Sequence, residues 1–314
     1  MRIPLILNPC LRGALVALAL TGACVTRAED REPRLNRVIE LLEKNTPPLG
    51  VFVSNVSPRG AAAISSSPLD FIIIDMEHSP LDLTRLETYL LAMTDRRRIL
   101  AKGNLQPDVT PLVRLPANGR ERVQYQIKQA LDLGVFGVIV PHIDTPEDAL
   151  AAVRAMRFPQ PEGAPDAEPR GQRGVGYGWA ARYWGVGAEY PQKADLWPLD
   201  PRGELLLWCM IESRAGVENV RAIARTPGVG GLFIGPSDLS FSLGLPENHP
   251  QVEAAIQTVL AACKETGVPC GTLTAAEGVA ARLGQGFRFL AVGSDAGLSS
   301  PVQRALEIGR QKRN

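Results

Sequence analysis

The amino-acid sequence predicts an α/β protein, a single-domain (β/α)8 barrel preceded by an N-terminal signal segment, and three observations lead there. Eight short apolar runs alternate with helix-period segments between residues 33 and 314. The runs are continuously apolar, as in parallel strands covered on both faces, instead of alternating apolar and polar. No glycine-rich dinucleotide turn follows the first run, which sets an open doubly wound sheet behind a closed barrel.

Taken in order, RLNRVIELLEKN (34–45) reads as an opening helix, and the eight strand candidates follow. They are LGVFVS (49–54), DFIIIDM (70–76), TPLVRLP (110–116), GVIVPH (137–142), LLLWCMIES (205–213), VGGLFIGP (229–236), VPCGTLT (268–274) and FRFLAVGSD (287–295). Helices are predicted over RERVQYQIKQALDL (120–133), TPEDALAAVRAM (145–156), RAGVENVRAIART (214–226) and QVEAAIQTVLAACKET (251–266), several opening with Thr-Pro or an acidic first turn. One connection breaks the rhythm: residues 156–204 are rich in Gly, Pro, Trp and Tyr, and a segment this long inside a compact domain is usually functional. Because it follows the fourth strand, it is expected to begin on the catalytic face of the barrel.

Residues 1–28 read as a leader, with Arg2 and Arg12 before an apolar run from Gly13 to Val25 that is too short to span a bilayer. An exported, periplasmic protein cleaved after Ala28 is the first expectation; an imperfect lipobox, LTGAC, makes a lipoprotein through Cys24 the second. A mis-called start codon on a cytoplasmic enzyme is the third, and membrane contact is expected only if Cys24 is lipidated. The 34 Lys+Arg against 33 Asp+Glu leave no field of one sign for nucleic acid, so a small-molecule partner is expected. Cys209, Cys263 and Cys270 match no metal knuckle and read as buried thiols, with a Cys263–Cys270 bridge as the alternative in an oxidising compartment.

Barrel enzymes build their sites at the carboxyl ends of the strands. Those positions hold Asp75, Glu77 and His78, then Arg114, His142, Glu212, Asp238, Thr274 and Asp295. Strand parity places Glu212 on the face of Met210 and Trp208, and Asp75 on the face of Ile73 and Phe71. Glu212 and Asp238 suit a hard divalent ion such as Mg²⁺ or Mn²⁺; helix capping, ion pairing or, for Asp238, a turn are the competing readings. His78 close to Asp75 has the pattern of a base oriented by a carboxylate. Arg114 offers a planar fork for a substrate carboxylate, or an ion pair with Asp75 or Glu77, or both. His142 reads as a pocket wall and His249 as the start of a surface helix. No lysine ends a predicted strand, which disfavours Schiff-base chemistry.

The ordered motifs LDFIIIDMEHSPLDL, PLVRLP, GVIVPHIDTPEDA, RGQRGVGYG, MIESRAGVENV, GVGGLFIGPSDLSFSLG, HPQVEAAI and FLAVGSDAGLS resemble the HpcH/HpaI aldolase family of class II pyruvate aldolases. That family includes 4-hydroxy-2-oxoheptanedioate and 2-dehydro-3-deoxyglucarate aldolases. The resemblance implies a (β/α)8 barrel, a divalent metal (Mg²⁺, Mn²⁺ or Co²⁺), a homo-oligomer, and reversible cleavage of a 4-hydroxy-2-oxo acid to pyruvate and an aldehyde. It implies His78 and Asp75 as the acid/base pair, Arg114 as the carbonyl and carboxylate binder, and Glu212 and Asp238 as metal ligands. Gly235, Pro236 and Ser237 would line the pyruvate pocket, with RGVG (173–176) in a loop above it. Met210 stands where the family's aldolases carry Gln, Met76 where they carry Gly, and residues 94–110 form an insertion. A CoA-thioester lyase of the same barrel, or an exported non-catalytic protein that binds a 2-oxo acid, are the alternative readings.

Overall fold

The computed structural model describes residues 32–116, 124–165, 167–294 and 299–312; the expected leader and Asp295 lie outside them. Each predicted apolar run forms a strand: β1 (Leu49–Val53), β2 (Phe71–Asp75), β3 (Thr110–Arg114), β4 (Gly137–Val140), β5 (Leu206–Ile211), β6 (Gly231–Ile234), β7 (Cys270–Leu273) and β8 (Phe289–Ala291). They pair in parallel in chain order, and β8 pairs with β1 to close the barrel. The register sets Asp75 opposite Arg114, so two charged side chains finish neighbouring strands together.

Inward-facing aromatic side chains fill the barrel. Phe71 stacks on Phe289 with centroids 3.9 Å apart, and Trp208 lies 4.2 Å from the same ring. Gly231, the register partner of Trp208, makes room for the indole, since a Cβ there would lie 2.2 Å from its ring. This packing supports the parity reading, because the faces of Phe71 and Trp208 are the ones that end in Asp75 and Glu212.

The amino ends of the strands are covered by the opening helix Arg37–Glu43. Its N-cap Asn36 accepts from the Val38 and Ile39 N–H groups. The Asn36 amide in turn donates to the carbonyls of Phe136 and Glu204, one residue before β4 and two before β5. His249 begins the helix Pro250–Thr266 by accepting from the Gln251 N–H, as its sequence context predicts. Cys209, Cys263 and Cys270 are buried free thiols.

The long connection departs from expectation. Helix Pro146–Met156 follows β4 immediately and returns the chain to the amino ends of the strands. Residues 157–165 and 167–205 therefore lie at the end of the barrel opposite the catalytic mouth, and they include the short helices Gly178–Trp184 and Tyr190–Lys193. Buried ion pairs hold the segment there: Arg157 to Asp195 at 2.7 Å, and Arg173 to Asp132 at 2.9 Å. The Arg173 guanidinium also lies 4.4 Å over the Phe158 ring. The RGVG turn thus packs against helix Gln124–Leu133 through Asp132, and does not stand above a pocket at the mouth.

Candidate active site

Asp75 ends β2, and the chain turns sharply after it. The turn is built on its own carboxylate: Oδ1 accepts from the backbone N–H groups of Glu77 (3.1 Å) and His78 (3.5 Å). Both carboxylate oxygens are also held by Arg114, from Nε at 2.9 Å and Nη2 at 2.7 Å. Burial works to raise the Asp75 pKa, but the Arg114 fork and the two amides outweigh it and hold the acid below the ordinary carboxylate range.

Arg114 is committed on three sides. Beyond the Asp75 fork, its Nη1 lies 3.0 Å from Glu77 Oε2, and its guanidinium sits 4.8 Å over the Phe52 ring. The two ion pairs foreseen from the sequence hold together. A planar group fixed by a bidentate carboxylate and an aromatic face cannot swing away, so its uncommitted N–H groups are pre-positioned donors.

The imidazole of His78 takes a different place from the one expected. The Asp75 carboxylate binds the backbone N–H of His78 and the Arg114 fork, while the His78 side chain is 62% exposed with Nε2 3.8 Å from Glu77 Oε2. The turn after β2 consumes the Asp75 lone pairs that an oriented histidine would need. The charged neighbour of the ring is Glu77.

Glu212 follows β5 and is 1% exposed. Its Oε1 accepts from the backbone N–H of His142 at 2.7 Å and lies 3.6 Å from His142 Nδ1. His142 adopts φ +50°, a left-handed conformation uncommon for a non-glycine residue and concentrated at functional sites. Gly235 abuts the same carboxylate: a Cβ there would meet Glu212 Oε2 at 2.5 Å and Met210 Cε at 3.3 Å. Met76 and Met210, the two departures from the family pattern, are both buried against this core.

Ligand atoms of Glu77, His142 and Glu212 all lie within 4.8 Å of one another. Burial, opposed by Arg114 and reinforced by Glu212, pushes Glu77 up to about 7. Burial, opposed by the His142 amide and reinforced by Asp238, pushes Glu212 up to about 7 as well. A pair of desolvated carboxylates short of positive charge, with an imidazole nitrogen beside them, is a donor set that fits a divalent cation. Asp238 stands outside this group of three, half-buried in the first turn of helix Pro236–Leu243, yet close enough for its charge to act on Glu212. Gly235 is the N-cap of that helix; Pro236 is half-buried, and Ser237 is exposed with its hydroxyl donating to Glu247 Oε2 at 2.8 Å.

Two members of the group, Glu77 and His142, carried no ligand role in the sequence reading. Both were visible as ionisable residues at strand ends. What was missing was direction, since each lies two residues past the end of its strand, one further than Glu212, where parity no longer applies.

A family model described as HpcH/HpaI aldolase/citrate lyase matches residues 49–301. A 5-keto-4-deoxy-D-glucarate aldolase of Escherichia fergusonii is 36% identical over 253 residues, spanning 80% of this chain and 87% of that protein. An HpcH/HpaI aldolase/citrate lyase family protein from Burkholderia cenocepacia superposes with a TM-score of 0.69 at 33% identity, covering 88% of this chain and 98% of that one. An HpcH/HpaI aldolase from Desulfitobacterium hafniense, 24% identical, shares the fold at a TM-score of 0.67 over 87% of this chain and 95% of that one. Together with the closed barrel and the strand-end cluster, these matches establish that the chain belongs to the HpcH/HpaI aldolase/citrate lyase family, as an enzyme of the class II, metal-dependent aldolase type.

Proposed function

We propose that the enzyme reversibly cleaves the C3–C4 bond of a 4-hydroxy-2-oxo acid carrying a second carboxylate, releasing pyruvate and a carboxylated hydroxyaldehyde. The substrate class follows from the name of the 36%-identical relative, a 5-keto-4-deoxy-D-glucarate aldolase, whose substrate is a diacid of this kind. The observation that carries the reading is the juxtaposition of a cation-hungry carboxylate group at Glu77 and Glu212 with a rigid Arg114 fork.

Glu212, with Asp238 beside it and Glu77 and His142 completing the polar wall, would hold Mg²⁺, Mn²⁺ or Co²⁺. When bound, that ion supplies a Lewis acid for the carboxylate and 2-oxo oxygens of the substrate. Arg114 donates to the oxygen on which negative charge develops, and Asp75 keeps its guanidinium plane in place. His78, exposed at the mouth, takes the proton from the C4 hydroxyl; the C3–C4 electron pair then passes to the enolate of pyruvate, and the proton is returned at C3. At the start of a helix, the backbone N–H groups of Gly235 and Ser237, on either side of Pro236, which has none and lines the pocket with its ring, are offered to the pyruvate carboxylate.

The deciding experiment measures pyruvate release from a panel of 4-hydroxy-2-oxo acids and from malyl-CoA, with Mn²⁺ and after exhaustive chelation. Release from a hydroxylated diacid only in the presence of metal is the expected result. Preference for malyl-CoA, or full turnover without metal, would reject the reading. Export is part of the same proposal, supported by Arg2, Arg12 and the apolar run 13–25, and mass spectrometry of native protein tests it. An intact Met1 on cytoplasmic protein would count against it.

A further inference from the structure

We infer that the end of the barrel opposite the catalytic mouth docks on an anionic phospholipid surface. The insertion at residues 94–110 forms the helix Arg96–Lys102, capped by Asp95, whose carboxylate accepts from the Arg97 and Arg98 N–H groups. At 100° per residue the helix divides its cations between two faces. Arg98 and Lys102 lie on the face toward Asp108, and both are paired with it, the lysine at 2.7 Å. Arg96 and Arg97 turn outward with Leu100, which is 84% exposed. Neither outward guanidinium has an ion pair among the described residues.

An open groove beside this helix brings Arg96 together with Leu91, Trp179 and Arg182. Leu91 is 47% exposed and Trp179 37%, and Arg182 likewise has no ion pair among the described residues. The result is one surface of apolar and indole side chains among three unneutralised arginines, in a chain whose net charge is only +1. Arginine, tryptophan and leucine mixed on one face is the composition of an interfacial membrane contact, where the ring and aliphatic groups enter the headgroup layer and the guanidinium groups meet lipid phosphates.

The apolar members of this face single out a bilayer from other anionic partners, because Leu91, Leu100 and Trp179 fit a layer that accepts hydrocarbon beside phosphate. Gln106, inside the insertion, donates from Nε2 to the Arg34 carbonyl at 2.9 Å. The insertion is thereby tied to the residues just before the opening helix, at the amino ends of the strands.

The test is co-sedimentation of the full chain with vesicles of phosphatidylglycerol and phosphatidylethanolamine, against vesicles of phosphatidylcholine alone, which report whatever the leader contributes. The variants are the triple substitution Arg96→Gln/Arg97→Gln/Arg182→Gln and the single Leu100→Ser, with pyruvate release confirming that each is folded. Each arginine near an anionic surface contributes about fivefold in partitioning, so the triple variant should bind the anionic vesicles roughly 10²-fold less well. Wild-type binding should weaken steeply in 0.5 M salt, and Leu100→Ser should lower it severalfold. Equal binding of wild type and triple variant to anionic vesicles overturns the proposal. A triple variant with a smaller assembly by sedimentation velocity and unchanged vesicle binding would overturn it too, assigning the face to a second copy of the chain.

Discussion

Gly235→Ala separates the integrity of the metal group from the integrity of the fold. Gly235 has φ −95°, which any residue adopts, so the substitution introduces no backbone strain. Its effect is steric and local: the new methyl lies 2.5 Å from Glu212 Oε2, where ordinary contact requires about 3.4 Å. The carboxylate must retreat by about 0.9 Å. Its other oxygen now accepts from the His142 N–H at 2.7 Å, so a shift of that size stretches or breaks that hydrogen bond. Displacements near 1 Å in a reacting constellation cost about 10²-fold, or roughly 2.7 kcal/mol of transition-state stabilisation. The clash falls on the far end of one side chain, so global stability should change by no more than about 1–2 kcal/mol. Mn²⁺ titration calorimetry, a coupled pyruvate assay and thermal unfolding read the three quantities separately. Mn²⁺ affinity within twofold of wild type in a normally folded Gly235→Ala protein would show that Glu212 is not where the ion is held.

The metal-free protein should lose stability as pH rises. Glu77 and Glu212 titrate at about 7 in the fold against 4.5 in the open chain, so their contribution is complete below about pH 4.5 and lost through about pH 7. Chelated protein should therefore melt at a lower temperature at pH 8 than at pH 5, and Mn²⁺ should restore the difference; a flat profile would contradict the burial argument. Asp75→Asn should cost about 3 kcal/mol of stability and weaken pyruvate binding through a loosened Arg114. His78→Ala, at an exposed position, should leave both nearly unchanged while turnover falls about 10²-fold; near-normal turnover would remove His78 from the chemistry. Glu212→Ala should abolish tight Mn²⁺ binding, whereas Met210→Gln should retain it, as calorimetry can decide.

The eight strands and the helices named with them were legible because their signal is local: continuous apolar runs, Thr-Pro starts and acidic first turns, and the 3.6-residue spacing of buried positions. Strand parity carried that success into the interior, where Trp208 and Phe71 lead to Glu212 and Asp75. Parity stops where the strands stop. The turn after Asp75 directs Glu77 toward Arg114 and His78 toward solvent, a division set by two backbone hydrogen bonds to Asp75 that no spacing reveals. His142 was hidden for a related reason: its positive φ presents both a backbone N–H and an imidazole to Glu212. The long connection was misplaced because its position depends on helix Pro146–Met156, which crosses the barrel before the segment begins.

The mouth of the barrel divides its charges into two sets with different fates. Asp75 is neutralised by Arg114 through two direct hydrogen bonds, so this pair stays charged across the physiological range and acts as a fixed frame. Glu77 shares what remains of the same arginine, while Glu212 has an amide, a histidine and the opposing charges of Asp238 and Asp144 around it. One guanidinium cannot balance that many carboxylates, and desolvation makes the imbalance costly, which is why the two glutamates are driven toward their neutral forms. Protonation is one way to relieve that cost, and a divalent cation is the other, since it supplies two charges at once. The two routes compete for the same oxygens, so metal affinity must rise with pH over the range in which the glutamates ionise. Arg114, fixed by Asp75 and touching Glu77 through Nη1 alone, keeps its remaining donors for charge that develops on the substrate.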